Sequence, residues 1–202
     1  MHGSDADEAS AESPAIGDRV GEPVLEPAVT EAVASTATAT HARLKGAERA
    51  TRPDRMSSIL VAVGAGPHTG ATVDVARRIA ETTDAWLELF HVVPSDEALA
   101  DGDAAATDDT DEYETAGDRL LSAARDRLGD FDRADRWLVE DRTAAGAIVE
   151  QSPYYDLVVV GAPTTGTVGR FVFGSTTDTV IDDAEVPVVV VEADGETSLD
   201  VA

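Results

Sequence analysis

From residue 59 onward the chain alternates strictly between short apolar runs and amphipathic stretches, and that alternation restricts the fold more than any other feature. Ile59–Val63, Trp86–Val93, Ala134–Val139, Leu157–Val160 and Val188–Val191 read as strands, the last opened by Pro187. Between them, Thr69–Thr83, Asp111–Leu128, Thr143–Gln151 and Ser175–Ala184 read as helices. Val73, Ala76, Ile79 and Ala80 share one face of the first helix, and Tyr113, Ala116, Leu120, Ala124 and Leu128 one face of the second. Such an order specifies an α/β fold: a doubly wound, five-stranded parallel sheet with right-handed crossovers and helices on both faces. The near-continuous apolar strands fit burial on both sides. No internal repeat is present.

Residues 1–55 break that pattern. They are rich in Ala, Glu, Asp, Thr, Ser and Pro and carry no sustained apolar period. A segment of this kind buries too little surface to offset its ordering entropy, so 1–55 is expected to be a disordered, acidic, Ala-rich stretch. A helix around Pro27–Ser35 would be marginal on its own. The domain is expected over 56–193, with Met56 as the true start or the preceding segment as a dispensable tail, and 194–202 as a short flexible end. At 202 residues, one domain with an appendage is the expectation.

Composition narrows the functional classes. The chain has no cysteine, which excludes disulfides and thiolate metal sites. Its formal charge is −25, Lys45 is its only lysine, and aromatics are scarce. This balance suggests a protein of halophilic type, because at about 1 M salt the Debye length is roughly 3 Å and self-repulsion is screened. The acidity argues against nucleic acid and anionic membranes as partners. No run approaches the ~20 apolar residues of a membrane span, and the N-terminus lacks a secretory core. A cytoplasmic protein without membrane insertion is expected.

In open α/β sheets, ligands bind beyond the carboxyl ends of the strands, where the strand order reverses. Two such ends carry permissive loops: Gly64-Ala65-Gly66-Pro67-His68-Thr69-Gly70, and the stretch from Gly161 through Thr164 and Gly166 to Gly169. The second leads to Gly174-Ser175-Thr176 at a helix start. Strand, glycine loop and helix N-terminus together offer unpaired amides and a favourable dipole to an anion. Ser175 has N-cap chemistry with Asp178 three residues on, and a capped helix and an anion site are compatible readings. Gly161-x4-Gly166 is followed by Thr167 and Val168, not Lys and Ser, so the Walker motif fails. Gly64, Gly66 and Gly70 are one residue too wide for a dinucleotide fingerprint, and Gly-x-Ser-x-Gly is absent.

Ile59-Leu60-Val61-Ala62-Val63, Leu89-Phe90-His91-Val92-Val93, Asp156 through Gly161, and the closing run from Phe173-Gly174-Ser175-Thr176 to Pro187-Val188-Val189-Val190-Val191 carry a family resemblance. From Met56 to Glu192 the chain resembles the universal stress proteins. The resemblance implies a Rossmann-like fold of the adenine nucleotide alpha hydrolase-like kind, with strand order 3-2-1-4-5. It implies a homodimer through antiparallel pairing of Val188–Val191, an apolar edge that soluble proteins otherwise avoid. It also implies ATP or AMP with Mg as ligand. Nucleotide-binding members carry Gly-x2-Gly-x9-Gly followed by Ser or Thr. Gly161, Gly174 and Ser175 match, Thr164 replaces the second glycine, and Gly166 stands two residues later. Where those members place an Asp after the first strand, this chain has Gly64; the second-strand position for the base, Val92, is retained. The phosphate end is thus mostly present and the base end impaired. Losing a base-reading hydrogen bond costs about 1–3 kcal/mol, roughly tenfold to a hundredfold in affinity. Another phosphate-bearing ligand, or none, are the alternatives.

Other residues have plain readings. His91 reads as a packing residue at the sheet end and His68 as an exposed loop residue or a phosphate contact. Trp86 and Trp137 read as core or edge packing. Arg170 reads as a pairing residue for a ligand phosphate, the acidic loop or a partner across the dimer. The acidic run from Asp96 to Glu112 lacks the glycine and terminal Glu of a calcium loop and reads as a solvated linker. No nucleophile has a base beside it, so no catalytic residue and no metal site are expected, weak ATP hydrolysis aside. The resulting expectation is a dimeric stress-response sensor or adaptor with an unidentified protein partner and nucleotide as a regulatory ligand. The alternatives are a regulatory subunit of a membrane transporter with an empty crevice, or an adenine-nucleotide-processing enzyme.

Overall fold

The computed structural model describes residues 23–39, 41–93, 110–140, 143–162, 174–193 and 197–199. Its elements in chain order are α1 (Leu25–Ser35), β1 (His41–Lys45), β2 (Ser58–Ala62), α2 (Thr69–Thr83), β3 (Trp86–Val92), α3 (Thr110–Arg127), β4 (Ala134–Val139), α4 (Ala144–Gln151), β5 (Leu157–Gly161), α5 (Gly174–Asp183) and β6 (Val188–Glu192). One six-stranded sheet runs in the order β1-β6-β5-β2-β3-β4. The five expected strands keep their expected relative order and are all parallel to their neighbours. Strand count and edge differ from expectation. A sixth strand, β1, pairs antiparallel with β6 over five residues, from His41 opposite Glu192 to Lys45 opposite Val188.

The alternation of side chains along buried strands builds two cores. Ile59, Val61, Leu87, Leu89, Leu157, Val159, Val189 and Val191 point to the face covered by α1, α2 and α3. Leu60, Phe90, Val92, Val158, Val160, Val188 and Val190 point to the other, against Ala147 and Ile148 of α4 and Val180 of α5. Both faces being apolar is what a parallel sheet inside two helical layers requires.

Part of the segment read as disordered is folded. Helix α1 begins at Leu25, earlier than the marginal helix expected from Pro27, and buries Leu25, Ala28, Val29 and Ala32 in the first core. Its stability comes from packing beside α2, which local propensity could not reveal. Strand β1 alternates cleanly: His41, Arg43 and Lys45 are exposed, while Ala42 and Leu44 pack on the core. The tail after β6 is also corrected: Thr197 is hydrogen-bonded to the turn before α2 and Leu199 packs against the first core. Residues 1–22, and most of the acidic stretch 94–110, lie outside the described residues.

Candidate functional site

The chain leaves β2 toward β3 and β4 in one direction, and β5 and β6 lie in the other, so the order reverses between β2 and β5. The turns after these two strands therefore share one rim. At the first turn Gly64 is buried, and the Thr69 hydroxyl lies against the carbonyls of Gly64 and Gly66, 2.9 Å from the latter. One hydroxyl thus closes this turn.

Helix α2 has no side-chain N-cap. Its first amides find other partners. Thr69 N–H donates to Gly66 O (3.2 Å) and Thr72 N–H to His68 O (2.9 Å). Gly70 N–H donates to the Thr197 carbonyl at 2.7 Å, and Ala71 N–H to the Thr197 hydroxyl oxygen at 3.2 Å. Thr197 returns its own N–H and O–H to Pro67 O, at 2.6 and 2.9 Å. Thr197 thus satisfies two of the orphan amides of this helix, a role the sequence assigned to no residue. Gly70 is required here: a Cβ would collide with the Thr197 carbonyl.

At the second turn, Gly161 ends β5. The Thr177 hydroxyl, buried in α5, donates to the Gly161 carbonyl at 3.1 Å. A Cβ on Gly161 would lie 3.3 Å from Thr72 Oγ1 and 3.5 Å from His68 Cβ. These distances bring the β2–α2 turn, the end of β5 and the N-terminus of α5 together. Gly174 and Ser175 are the first two residues of α5, and Thr176 follows half-buried. Thr164, Gly166 and Arg170 lie outside the described residues. Val92 is buried in the second core together with Val160 and Ala162, so it serves packing at this rim.

His68 accepts the Ala193 N–H at Nδ1 (3.2 Å), which ties the turn to the chain leaving β6. It is half-buried, a structural role between its two sequence readings. His91 donates Nδ1–H to the Val63 carbonyl at 2.7 Å, and its ring packs where Gly117 of α3 leaves room. Burial lowers its pKa, against the opposing effect of that hydrogen bond, so the neutral ring is favoured. This is packing at the sheet end, as the sequence indicates. Trp137 stacks edge-on against Phe90 with centroids 5.2 Å apart and is partly exposed.

A cleft of about 660 Å³ lies at the opposite end of α2, between Val24 and Pro27 of the α1 region, Arg55 and Met56, and Thr82 and Thr83. It is remote from the glycine turns. Among the described residues, no group of three or more acidic or histidine side chains is placed to hold a metal ion. No helix among them is long and apolar enough to cross a membrane.

The sequence model of the Universal stress protein family matches residues 56–192. The chain belongs to the universal stress protein family. Its fold is similar to that of a universal stress protein from Archaeoglobus fulgidus, with a TM-score of 0.54 and 20% identity over 67% of this chain and 98% of that one. A universal stress protein in complex with cAMP matches at a TM-score of 0.52 and 22% identity, covering 69% and 99%. The universal stress protein UspA from Lactobacillus plantarum matches at 0.50 and 25% identity, covering 68% and 99%. Among the curated proteins, none matches in sequence. The matched segment starts at Met56, so α1 and β1 lie outside it.

Proposed function

We propose that this universal stress protein is a non-catalytic stress-response adaptor whose crevice takes an adenine nucleotide as a regulatory ligand. The observation that carries this is the meeting of Gly161, His68 and Thr72 beside the N-terminus of α5. Backbone amides at the start of the 10-residue helix α5, next to a glycine that admits close approach, suit a phosphate. The residues fit the phosphate end of AMP or ATP. Mg would have to be held chiefly by the phosphates and water. They do not fit the base end, where Gly64 supplies no carboxylate. A universal stress protein of the same fold has been crystallised with cAMP, which supports the ligand class.

One observation favours the alternative of an empty crevice, as in a binding-only subunit serving a transporter. The Gly70 and Ala71 amides at the start of α2 are taken by Thr197, which among the described residues leaves the α5 side of the rim for an anion.

Thermal unfolding of the full chain in molar salt, with millimolar cAMP, AMP or Mg-ATP, tests the reading. Ligand at about a hundred times its Kd stabilises by about 2.7 kcal/mol and raises Tm. The Gly161→Val variant, crowded against Thr72 and His68, is expected to lose that rise. Unchanged Tm with all three nucleotides refutes the proposal and leaves the empty-crevice reading. Phosphate release above background would instead favour an enzyme.

A further inference from the structure

The outer side of β6 would be a poor boundary for a soluble protein. Val188, Val189, Val190 and Val191 are all buried, and an uncovered apolar strand of this kind pairs readily with another chain. Here it is paired along its whole length by β1. The new boundary is a short strand whose exposed side chains are His41, Arg43 and Lys45, the last being the only lysine of a chain with net charge −25. Basic side chains on a short edge strand discourage further pairing.

The covering segment is held at points well separated along the domain. Helix α1 buries Leu25, Ala28, Val29 and Ala32 in the first core. The Arg49 guanidinium donates to the carbonyls of Ile181 (2.9 Å) and Ala184 (2.8 Å), satisfying the C-terminal end of α5. Thr38 donates to Asp74 at 2.6 Å, and Asp74 also receives Arg127. Arg43 meets Glu192 at 2.8 Å. All of these anchors start outside the family-matched segment and end inside it.

β1 is antiparallel to β6. Pairing β6 with β6 of a second copy about a two-fold axis would also be antiparallel and would use the same outer groups. The two arrangements exclude each other. We infer that residues 25–49 are an intrachain cover for the edge of β6, standing where the strand of a second copy would pair. The domain is closed to self-pairing through this edge while the cover is seated, and lifting the cover opens it to a second copy. This inference does not depend on what the crevice binds.

The absence of native cysteine gives a direct test in the full chain. His41 and Glu192 are register partners with accessible side chains, so the His41→Cys, Glu192→Cys double variant places two thiols in reach of a short bismaleimide. Crosslinking within one chain, at monomer mass on a denaturing gel, is expected. Crosslinked dimers, or a folded protein with no crosslink, would overturn the assignment. A second full-chain variant, Ala42→Asp with Leu44→Asp, puts charge on the inward face of β1 and leaves residues 56–192 untouched. Sedimentation in molar salt is expected to show a twofold rise in molar mass over the unmodified chain. A folded variant with unchanged mass would refute opening by this edge. Should that variant not fold, the crosslink still decides where β1 lies.

Discussion

The two outer strands of the five-stranded parallel sheet, β6 and β4, are protected differently. β6 is a core strand by composition, with every valine buried, and it is kept from solvent by another piece of the same chain. β4 ends the sheet on the other side among the described residues, and it faces solvent with Asp135, Arg136 and the partly exposed Trp137. One end survives by being covered, the other by being charged. A sheet edge is therefore not one kind of surface: the cost of leaving it open depends on how apolar its strand is.

That contrast sets the order of expected effects. Val189→Asp puts a charge into the fully buried core of β6 and should cost on the order of 4 kcal/mol or more. Arg136→Ala on β4 should stay within about 0.5 kcal/mol. Urea unfolding in molar salt compares the two, and similar costs would end the distinction between the edges.

Asp156 is the next test, because it ties the connection from the cover to β2. Its carboxylate accepts Ser57 N–H at 2.8 Å and Ser58 N–H at 3.2 Å, and meets Arg52 at 3.0 Å. Asp156→Ala should cost about 2 kcal/mol, since two half-buried backbone donors lose a charged acceptor. A change under a few tenths by the same assay would show that the covered edge does not depend on this anchor.

Within β1, packing should outweigh charge. Leu44→Ala should cost about 1–2 kcal/mol, because its half-buried side chain packs on the first core. Arg43→Ala should cost less than about 0.5 kcal/mol, because both members of its ion pair are largely exposed. The reverse order in denaturant midpoints would mean that the cover is held electrostatically.

The smallest effect belongs to the open side. Glu88 of β3 lies opposite Asp135 of β4. Burial raises the Glu88 pKa, and the neighbouring Asp135 charge raises it further. A carboxyl with a raised folded pKa is a penalty once both states are ionised, and the penalty disappears below its unfolded pKa. Asp135→Asn should therefore stabilise by a few tenths of a kcal/mol near neutral pH, and the gain should vanish as acid protonates Glu88. A gain that persists in acid would rule out charge repulsion as its cause.

Much of this molecule is readable along the chain. The valine-rich strands and their intervening periodic helices specify a parallel α/β sheet because burial on two faces leaves no polar alternation to mistake. The Gly161 turn and the Gly174-Ser175-Thr176 helix start were visible because glycine marks a turn and hydroxyl residues gather at helix starts, although the helix begins at Gly174 and Ser175 stands inside it rather than at its cap. His-Ala-Arg-Leu-Lys at 41–45 is a period-two signal too, but five residues inside a polar, Ala-rich stretch do not announce a strand. Thr177 and Thr72 carry no signal of their own. Their roles depend on β2 lying beside β5.

Local pattern settled the element types and the layering from residue 56 onward, through short-range sterics and the periodicity of burial, while the relative order of the five strands followed from the family resemblance. Long-range geometry settled which surfaces stay open. Only when the chain is folded does β1 reach β6, and only then does Thr197 reach the amides of α2. Those pairings depend on which distant segments meet, and no residue's own propensity contains that information.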